Sequence, residues 1–181
     1  MIGWTKLDSK VVFEHPRIKL IEDIVRLPNG EVSQYLLYGG KGYRDFPTII
    51  ARRKDGKILV TEEYTYASSQ VIFQFPEGAP NPEDKNVSDS AMRELVEETG
   101  YIADKLTEIG RCLHEHRRSD CYQHVFLAEG ISKTTDNVEK DLEEGEIKLH
   151  WFTEKELKKL IKDGKFIQKN ALAAWAMYLS R

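Results

Sequence analysis

The sequence predicts a mixed α/β protein in which a small β piece, about forty residues long, precedes a larger domain. Three observations support this class. The first third is rich in β-branched and aromatic runs, one helix-forming segment follows a Pro/Gly-rich loop near the middle, and the C-terminal end has the pattern of two helices. With 181 residues the chain can bury a sizeable core.

The N-terminal piece contains three predicted strands, "KVVFEH", "IKLIEDIVRL" and "VSQYLLYG". Asn29-Gly30 predicts a hairpin turn between the last two, with both residues supplying positive φ angles. The glycines from Gly39 to Gly42 form the candidate boundary. We therefore expect a β subdomain at 1–42 and the main domain at 43–181.

The main domain begins with strand patterns in "PTIIARR", "DGKILVTEEY" and "SQVIFQF". A helix follows, with Asn86 or Ser88 as its N-cap and Gly100 as its C-terminal stop. Two strands, "LTEIGRCLHEH" and "CYQHVFLAEGI", pair across a turn, and "IKLHWF" adds another strand. Thr153 and Glu156 form a capping box for the helix "EKELKKLIKD", before a last helix in "NALAAWAMYL".

Composition excludes several classes of function. A formal charge of −3 and a pI near 6.0 argue against broad binding to nucleic acid. No apolar run is long enough to span a membrane, and the N-terminus lacks the apolar region of a signal peptide. Two cysteines form no disulfide framework, so we expect a cytoplasmic protein.

The central helix carries an unusual group of acids. Glu94, Glu97 and Glu98 are related by steps of three and four residues, so they project to one side. They lie in the last turns, where the helix macrodipole favours cations. Arg93 can pair with Glu97 but cannot neutralise three acids. The group is either a solvated acidic face or a site for a hard divalent cation such as Mg²⁺.

The segment "RELVEETGY" resembles the core of the Nudix box, whose pattern is G-x5-E-x7-R-E-U-x-E-E-x-G-U with U an apolar residue. All of its defined positions match from Arg93 to Tyr101, and Gly78 resembles the opening glycine. The spacing from Gly78 to Arg93 is one residue too long. The first glutamate of the pattern is therefore represented by Glu83 or Asp84, out of register, which we interpret as a loop insertion.

The resemblance implies an α/β/α sandwich with a mixed sheet, and hydrolysis of diphosphates with Mg²⁺ or Mn²⁺. It implies that Arg93 orients Glu97 through an ion pair. The implied metal ligands are chiefly Glu94 and Glu98, joined by Glu97 and a main-chain carbonyl near Gly78 or Ala79.

Much of the remaining chain resembles the ADP-ribose and ADP-sugar pyrophosphatase branch of that family. The branch implies a homodimer whose N-terminal sheet helps to form the partner's site. Trp4 is placed like an aromatic residue that stacks on adenine, although packing in the core or dimer is an alternative. The branch also implies a loop acid that serves as catalytic base or metal ligand. The candidates, which the sequence does not separate, are Glu143, Glu144 and Glu146.

Two departures affect the substrate. Thr65 stands where the branch usually has an arginine, and the proline that marks ADP-ribose specificity is absent from "EIGRCLHEHRR". We therefore expect a nucleoside diphosphate sugar, with ADP-ribose as one candidate. Arg117 or Arg118 could bind substrate phosphates, or both could be surface charges on a hairpin tip.

Other interpretations stay open at this point. A Nudix enzyme could act on dinucleoside polyphosphates, nucleoside triphosphates or capped RNA, although the low pI counts against RNA. A non-catalytic Nudix-fold binding module is a further alternative. A zinc site must also be considered, although its spacing matches no common knuckle. Its candidate ligands are Cys112, His114, His116, Cys121 and His124.

Overall fold

The computed structural model describes residues 3–40, 44–134 and 147–181. The chain divides into two compact units, each formed from two segments. The first unit comprises Met1–Asp45 and Leu113–Tyr122, and the second comprises Phe46–Cys112 and Gln123–Arg181. The predicted mixed α/β class, with an antiparallel sheet at the N-terminus, is confirmed.

The first unit contains a three-stranded antiparallel sheet in the order β1-β2-β3. Its strands are β1 (Thr5–Glu14), β2 (Lys19–Arg26) and β3 (Val32–Gly39). The hairpin between β2 and β3 is confirmed, but only Gly30 has a positive φ, of 88°, whereas Asn29 does not. The prediction for Asn29 was wrong because the turn closes over one more residue, with the Leu27 N–H donating to the Glu31 carbonyl.

The second unit contains the remaining strands. They are β4 (Phe46–Ala51), β5 (Ile58–Thr65), β6 (Gln70–Gln74), β7 (Tyr101–Ile102), β8 (Lys105–Leu113), β9 (Tyr122–Glu129), β10 (Ser132–Lys133) and β11 (Lys148–Phe152). Two three-stranded sheets have the orders β11-β5-β6 and β4-β9-β8, and β4 runs parallel to β9. An isolated bridge between Arg52 and Ile58 joins the end of β4 to β5.

Helices cover both faces of these strands. Successive residues of a strand point to opposite faces, and β4 follows this rule. Ile49 belongs to the same buried cluster as Leu95 of α1 (Val87–Thr99). Ile50 belongs to another cluster, with Leu157 of α2 (Glu154–Lys162) and Trp175 of α3 (Lys169–Leu179). The second unit is therefore the α/β/α sandwich that the resemblance implied.

The helix ends follow from local sequence. The Asn86 side chain caps α1 by accepting from the Asp89 N–H, and Gly100 ends it in the left-handed conformation at φ 68°. The capping box of Thr153 and Glu156 at α2 is present as predicted. Within the described ranges, no helix is long and apolar enough to cross a membrane.

Candidate active site

Helix α1 brings the box carboxylates to one place in the second unit. Its apolar residues Ala91 and Leu95 are fully buried in the core, and this fixes the rotation of the helix. Glu94 and Glu98 lie one turn apart and are only 5% and 7% exposed. The side chain of Glu97 is more accessible, at 34%. Two of the three acids are thus buried, unlike those of a solvated acidic face.

The loop before α1 approaches these acids closely at Gly78. A Cβ atom placed on Gly78 would lie 2.2 Å from Cδ of Glu94 and 2.3 Å from both of its oxygens. The main-chain N–H of Glu77 points to Oε1 of Glu98 at 3.4 Å. Only glycine can stand at position 78 without displacing the Glu94 carboxylate.

Arg93 holds the acids and the loop together. Its Nη1 donates to Oε2 of Glu97 at 2.6 Å and to Oε1 of Glu94 at 2.7 Å. Its Nη2 donates to the Ala79 carbonyl at 2.8 Å and to Oδ2 of Asp84 at 3.0 Å. In the structure, therefore, one guanidinium contacts three carboxylates and anchors the preceding loop, although its single charge leaves the cluster negative.

Charge pairing changes the pKa values in this cluster. Burial opposes the charge of Arg93, but the hydrogen bond to Asp84 and the charges of Glu94 and Glu97 outweigh it and raise the pKa of Arg93. Burial also opposes the charge of Asp84. Hydrogen bonds from Arg93, the Asn81 N–H and the Ser90 hydroxyl nevertheless lower the pKa of Asp84 below its ordinary value. Both groups are thus held in their charged forms.

The donor set fits a hard divalent cation. Carboxylate oxygens and main-chain carbonyls are the ligands that Mg²⁺ prefers, and the lack of a side chain at Gly78 brings the loop backbone close to the Glu94 carboxylate. Within the part of the chain that the structure describes, no three His, Cys, Asp or Glu side chains converge closely enough to form a metal site by themselves. Of the predicted ligands, the three carboxylates lie on α1 and the main-chain carbonyls on the loop before it, and Arg93 contacts both.

The same finding applies to the alternative zinc site, whose candidate residues form no such group among the described residues. His124 instead pairs through Nδ1 with Glu108 at 2.9 Å. The Cys112 thiol donates to Oε1 of Gln123 at 3.4 Å, and the Cys121 thiol donates to the Arg44 carbonyl at 2.7 Å. These contacts favour structural roles for both cysteines.

Glu77, directly before Gly78, was missed by the sequence analysis. Its Oε1 accepts from Nε2 of Gln168 at 2.7 Å and from Nδ2 of Asn170 at 3.1 Å, and its Oε2 accepts from the Thr48 hydroxyl at 2.9 Å. Burial raises the pKa of Glu77 to about 6, although these three hydrogen bonds favour the ionised form. The only sequence signal was a glutamate beside the predicted box glycine.

The predicted substrate-binding residues lie in the first unit, where they surround Tyr35. Trp4 packs edge-on against the Tyr35 ring, with centroids 5.4 Å apart, and is 54% exposed. The guanidinium of Arg118 lies over the same ring at 5.5 Å and donates to the Leu36 carbonyl at 3.0 Å. The Tyr35 hydroxyl donates to the carbonyl of Arg117 at 2.5 Å. The structure thus brings Trp4, Arg117 and Arg118 together.

The acidic loop predicted to supply a base precedes β11. Its candidates, Glu143, Glu144 and Glu146, lie outside the described residues. The next described residue, Ile147, is buried.

Two family models match this chain. A model described as the NUDIX domain matches residues 43–175, and one described as the nucleoside diphosphate sugar hydrolase N-terminal domain matches residues 4–35.

Individual relatives agree with the family models. The chain is 32% identical to an "ADP-ribose pyrophosphatase" of Bacillus subtilis (strain 168) over 133 residues, which is 74% of this chain and 70% of that protein. It is 30% identical over 128 residues to a "Methanol dehydrogenase activator" of Bacillus methanolicus, covering 70% of this chain and 66% of that protein. A crystal structure of an "ADP compounds hydrolase" has the same fold, with a TM-score of 0.82 at 16% identity, over 98% of this chain and 92% of that one.

Proposed function

This chain belongs to the Nudix family, and we propose that it hydrolyses the diphosphate bond of a nucleoside diphosphate sugar resembling ADP-ribose. The products are a nucleoside monophosphate and a sugar phosphate. The observation that carries this function is the paired match of a Nudix domain and the N-terminal domain of nucleoside diphosphate sugar hydrolases on one chain. The similarity to a protein named ADP-ribose pyrophosphatase supports the same substrate class.

The cation is Mg²⁺ or Mn²⁺, held by Glu94 and Glu98 with Glu97 and a main-chain carbonyl near Gly78 or Ala79. When bound, such a cation neutralises the diphosphate and lowers the pKa of a coordinated water. The burial of Glu94 and Glu98 supports their assignment as principal ligands, because Arg93 brings one positive charge to a cluster with more than one buried acid, and buried acids favour further compensating charge.

The contribution of Arg93 is positional. It bonds both Glu94 and Glu97 and also the loop, so it holds the two carboxylates in place relative to the Ala79 carbonyl. Such prior organisation reduces the rearrangement needed during the reaction. One glutamate of the acidic loop, among Glu143, Glu144 and Glu146, is proposed to supply the base or a further ligand.

The first unit is proposed to bind the nucleotide and to form a homodimer. Trp4 would stack on adenine, and Arg117 or Arg118 would pair with a phosphate. Every residue of β1 is exposed in the single chain, including the large apolar side chains of Val11 and Phe13. A second copy would cover this apolar surface. We propose residues 1–42 as the dimerisation subdomain, 43–181 as the hydrolase domain, and a cytoplasmic location.

A hydrolysis panel tests the substrate class. ADP-ribose, other nucleoside diphosphate sugars, dinucleoside polyphosphates and nucleoside triphosphates are each incubated with enzyme and Mg²⁺, and products are separated by chromatography. We expect nucleoside diphosphate sugars to be hydrolysed to a nucleoside monophosphate and a sugar phosphate. A chelator should abolish this hydrolysis. Selective hydrolysis of triphosphates or dinucleotides would overturn the proposed substrate class while leaving the family membership intact.

A matched pair of variants tests the site. Glu94→Gln and Glu108→Gln remove the same charge, but Glu108 bonds His124 on the β8–β9 pair. We expect only the first to abolish hydrolysis. Equal effects of the two would contradict the assignment of Glu94.

Light scattering tests the dimer. We expect twice the chain mass of 20.9 kDa at micromolar concentration. A fully active monomer would refute the proposed role of the first unit in a shared site.

A further inference from the structure

We propose that the side chain of Glu77 is a positioning residue that couples the start of α3 to the metal-binding acids of α1, an inference that rests on the proposed function. Glu77 touches neither substrate nor metal through its carboxylate in this role. It fixes the backbone from which Gly78 and Ala79 approach the acids.

The hydrogen bonds around Glu77 have a defined direction. Oε1 of Gln168 accepts from the Ala171 N–H at 2.6 Å as the cap of α3, so its Nε2 is the atom that faces Glu77. Nε2 of Gln123 donates to the Thr48 hydroxyl at 2.9 Å, which leaves the Thr48 hydrogen for Glu77. Together with Asn170, three donors therefore converge on one carboxylate.

The backbone of Glu77 connects these donors to the acids. The Ile49 N–H donates to the Pro76 carbonyl at 2.8 Å, so the loop is tied to β4 just before Glu77. The Glu77 N–H points to Oε1 of Glu98, and the next residue, Gly78, lies against Glu94. Glu77 also forms an isolated antiparallel bridge with Thr48, so its backbone and its carboxylate both hold the chain to β4, and the carboxylate adds the link to α3.

This arrangement requires an acceptor on both sides of the side chain. Glutamine has the same shape as glutamate but carries an NH₂ group in place of one oxygen. In Glu77→Gln, that group must face either the amide donors of Gln168 and Asn170 or the Thr48 hydroxyl, which would then accept a second bond and turn its hydrogen away. In either orientation at least one donor loses its present acceptor and the other bonds lose a charged acceptor, so we expect the loop to shift.

The experiment measures metal binding as well as activity. Glu77→Gln, Gln168→Ala and the double variant are titrated with Mn²⁺, and free Mn²⁺ is read by electron paramagnetic resonance. Residues that orient metal ligands typically contribute about 10–100-fold to affinity. We expect each single variant to weaken Mn²⁺ binding by about tenfold or more. The double variant should be no weaker than the worse single variant, because both act through the same contact.

Gln168→Ala is informative because the side chain of Gln168 bonds Glu77 and the Ala171 N–H, and of these two only Glu77 leads towards the acids. This variant also serves as the test if Glu77→Gln fails to fold. The control is Glu108→Gln, which removes the same charge and should bind Mn²⁺ as the wild type does. Thermal melts are recorded for all variants. A lower Tm with unchanged Mn²⁺ affinity would assign Glu77 a purely structural role and overturn the inference.

Different results would refute the proposed function and the role of Glu77. If the wild type binds Mn²⁺ and hydrolyses nucleoside diphosphate sugars but the variants match its Mn²⁺ affinity, only the role of Glu77 is refuted. If the wild type does not bind Mn²⁺, the proposed function fails and the role of Glu77 fails with it. If the wild type binds Mn²⁺ but hydrolyses no such sugar, the substrate class alone is wrong.

Discussion

The substitution Gly78→Ala perturbs the candidate metal site by a single methyl group. The backbone of Gly78 lies outside the left-handed region, so alanine is allowed there and the effect is purely steric. The new carbon would lie 2.2 Å from Cδ of Glu94, whereas ordinary contact begins at 3.4 Å. The loop and the carboxylate must therefore separate by about 1 Å.

A displacement of this size has a measurable cost. Misplacing a reacting group by about 1 Å can reduce the rate by about 100-fold, and we expect that loss in kcat/KM for ADP-ribose. Overpacking in a buried region costs about 1–3 kcal/mol of unfolding free energy. For a chain of this size, each kcal/mol lowers Tm by about 2–4 °C. Initial rates at saturating Mg²⁺, Mn²⁺ titration and thermal melts measure the three quantities.

Gly110→Ala is the matched control. Its new carbon would lie 2.9 Å from Sδ of Met177, the flexible end of a side chain in the same unit. We expect a small change in Tm and no change in Mn²⁺ affinity. If Gly78→Ala behaves as Gly110→Ala does, keeping its rate and its Mn²⁺ affinity, the contact between Gly78 and Glu94 is not part of a metal site.

Three further predictions concern other residues. Glu98→Gln should fold normally but lower kcat by about three orders of magnitude, since it removes a main electrostatic contributor; a loss below tenfold with unchanged Mg²⁺ affinity would contradict the ligand assignment. In the acidic loop, one Glu→Gln change should lower kcat with little change in KM, and near-wild-type rates for all three would exclude a loop base. The positions to be changed one at a time are Glu143, Glu144 and Glu146. Cys121 is 2% exposed and burial raises its pKa to about 11, whereas Cys112 is more accessible. Iodoacetamide at pH 8 should therefore label Cys112 first, as read by mass spectrometry. Equal labelling of the two cysteines in the native protein would refute this order.

Local rules predicted the helix that carries the acids. Asn86 and Gly100 mark its ends, and the steps between Glu94, Glu97 and Glu98 place them on one side. These signals act within a few residues of each other, where helix geometry is nearly fixed. The sequence could not predict that Glu94 and Glu98 are buried while Glu97 is more exposed, because this depends on which face of the helix packs against the core.

Local sequence rules could not predict contacts between residues that are far apart in the sequence. The pair between Arg93 and Glu97 follows from helix spacing, but the bond from Arg93 to Asp84 depends on the path of an irregular loop. The partners of Glu77 are more remote still. Thr48 is 29 residues away in sequence and Gln168 is 91 residues away, so only the folded sheet and α3 bring them together.

The two-segment composition of the first unit has a consequence for synthesis of the chain. Domains generally fold as units while the polypeptide emerges from the ribosome. Here β3 is an edge strand of its sheet, and the Tyr38 N–H on that strand donates to the carbonyl of Arg118 at 2.6 Å. All of residues 46–112 must be translated before this partner exists. Until then this edge of the nascent sheet lacks its contact with Arg118, and exposed sheet edges are the kind of surface that invites aggregation and that chaperones protect.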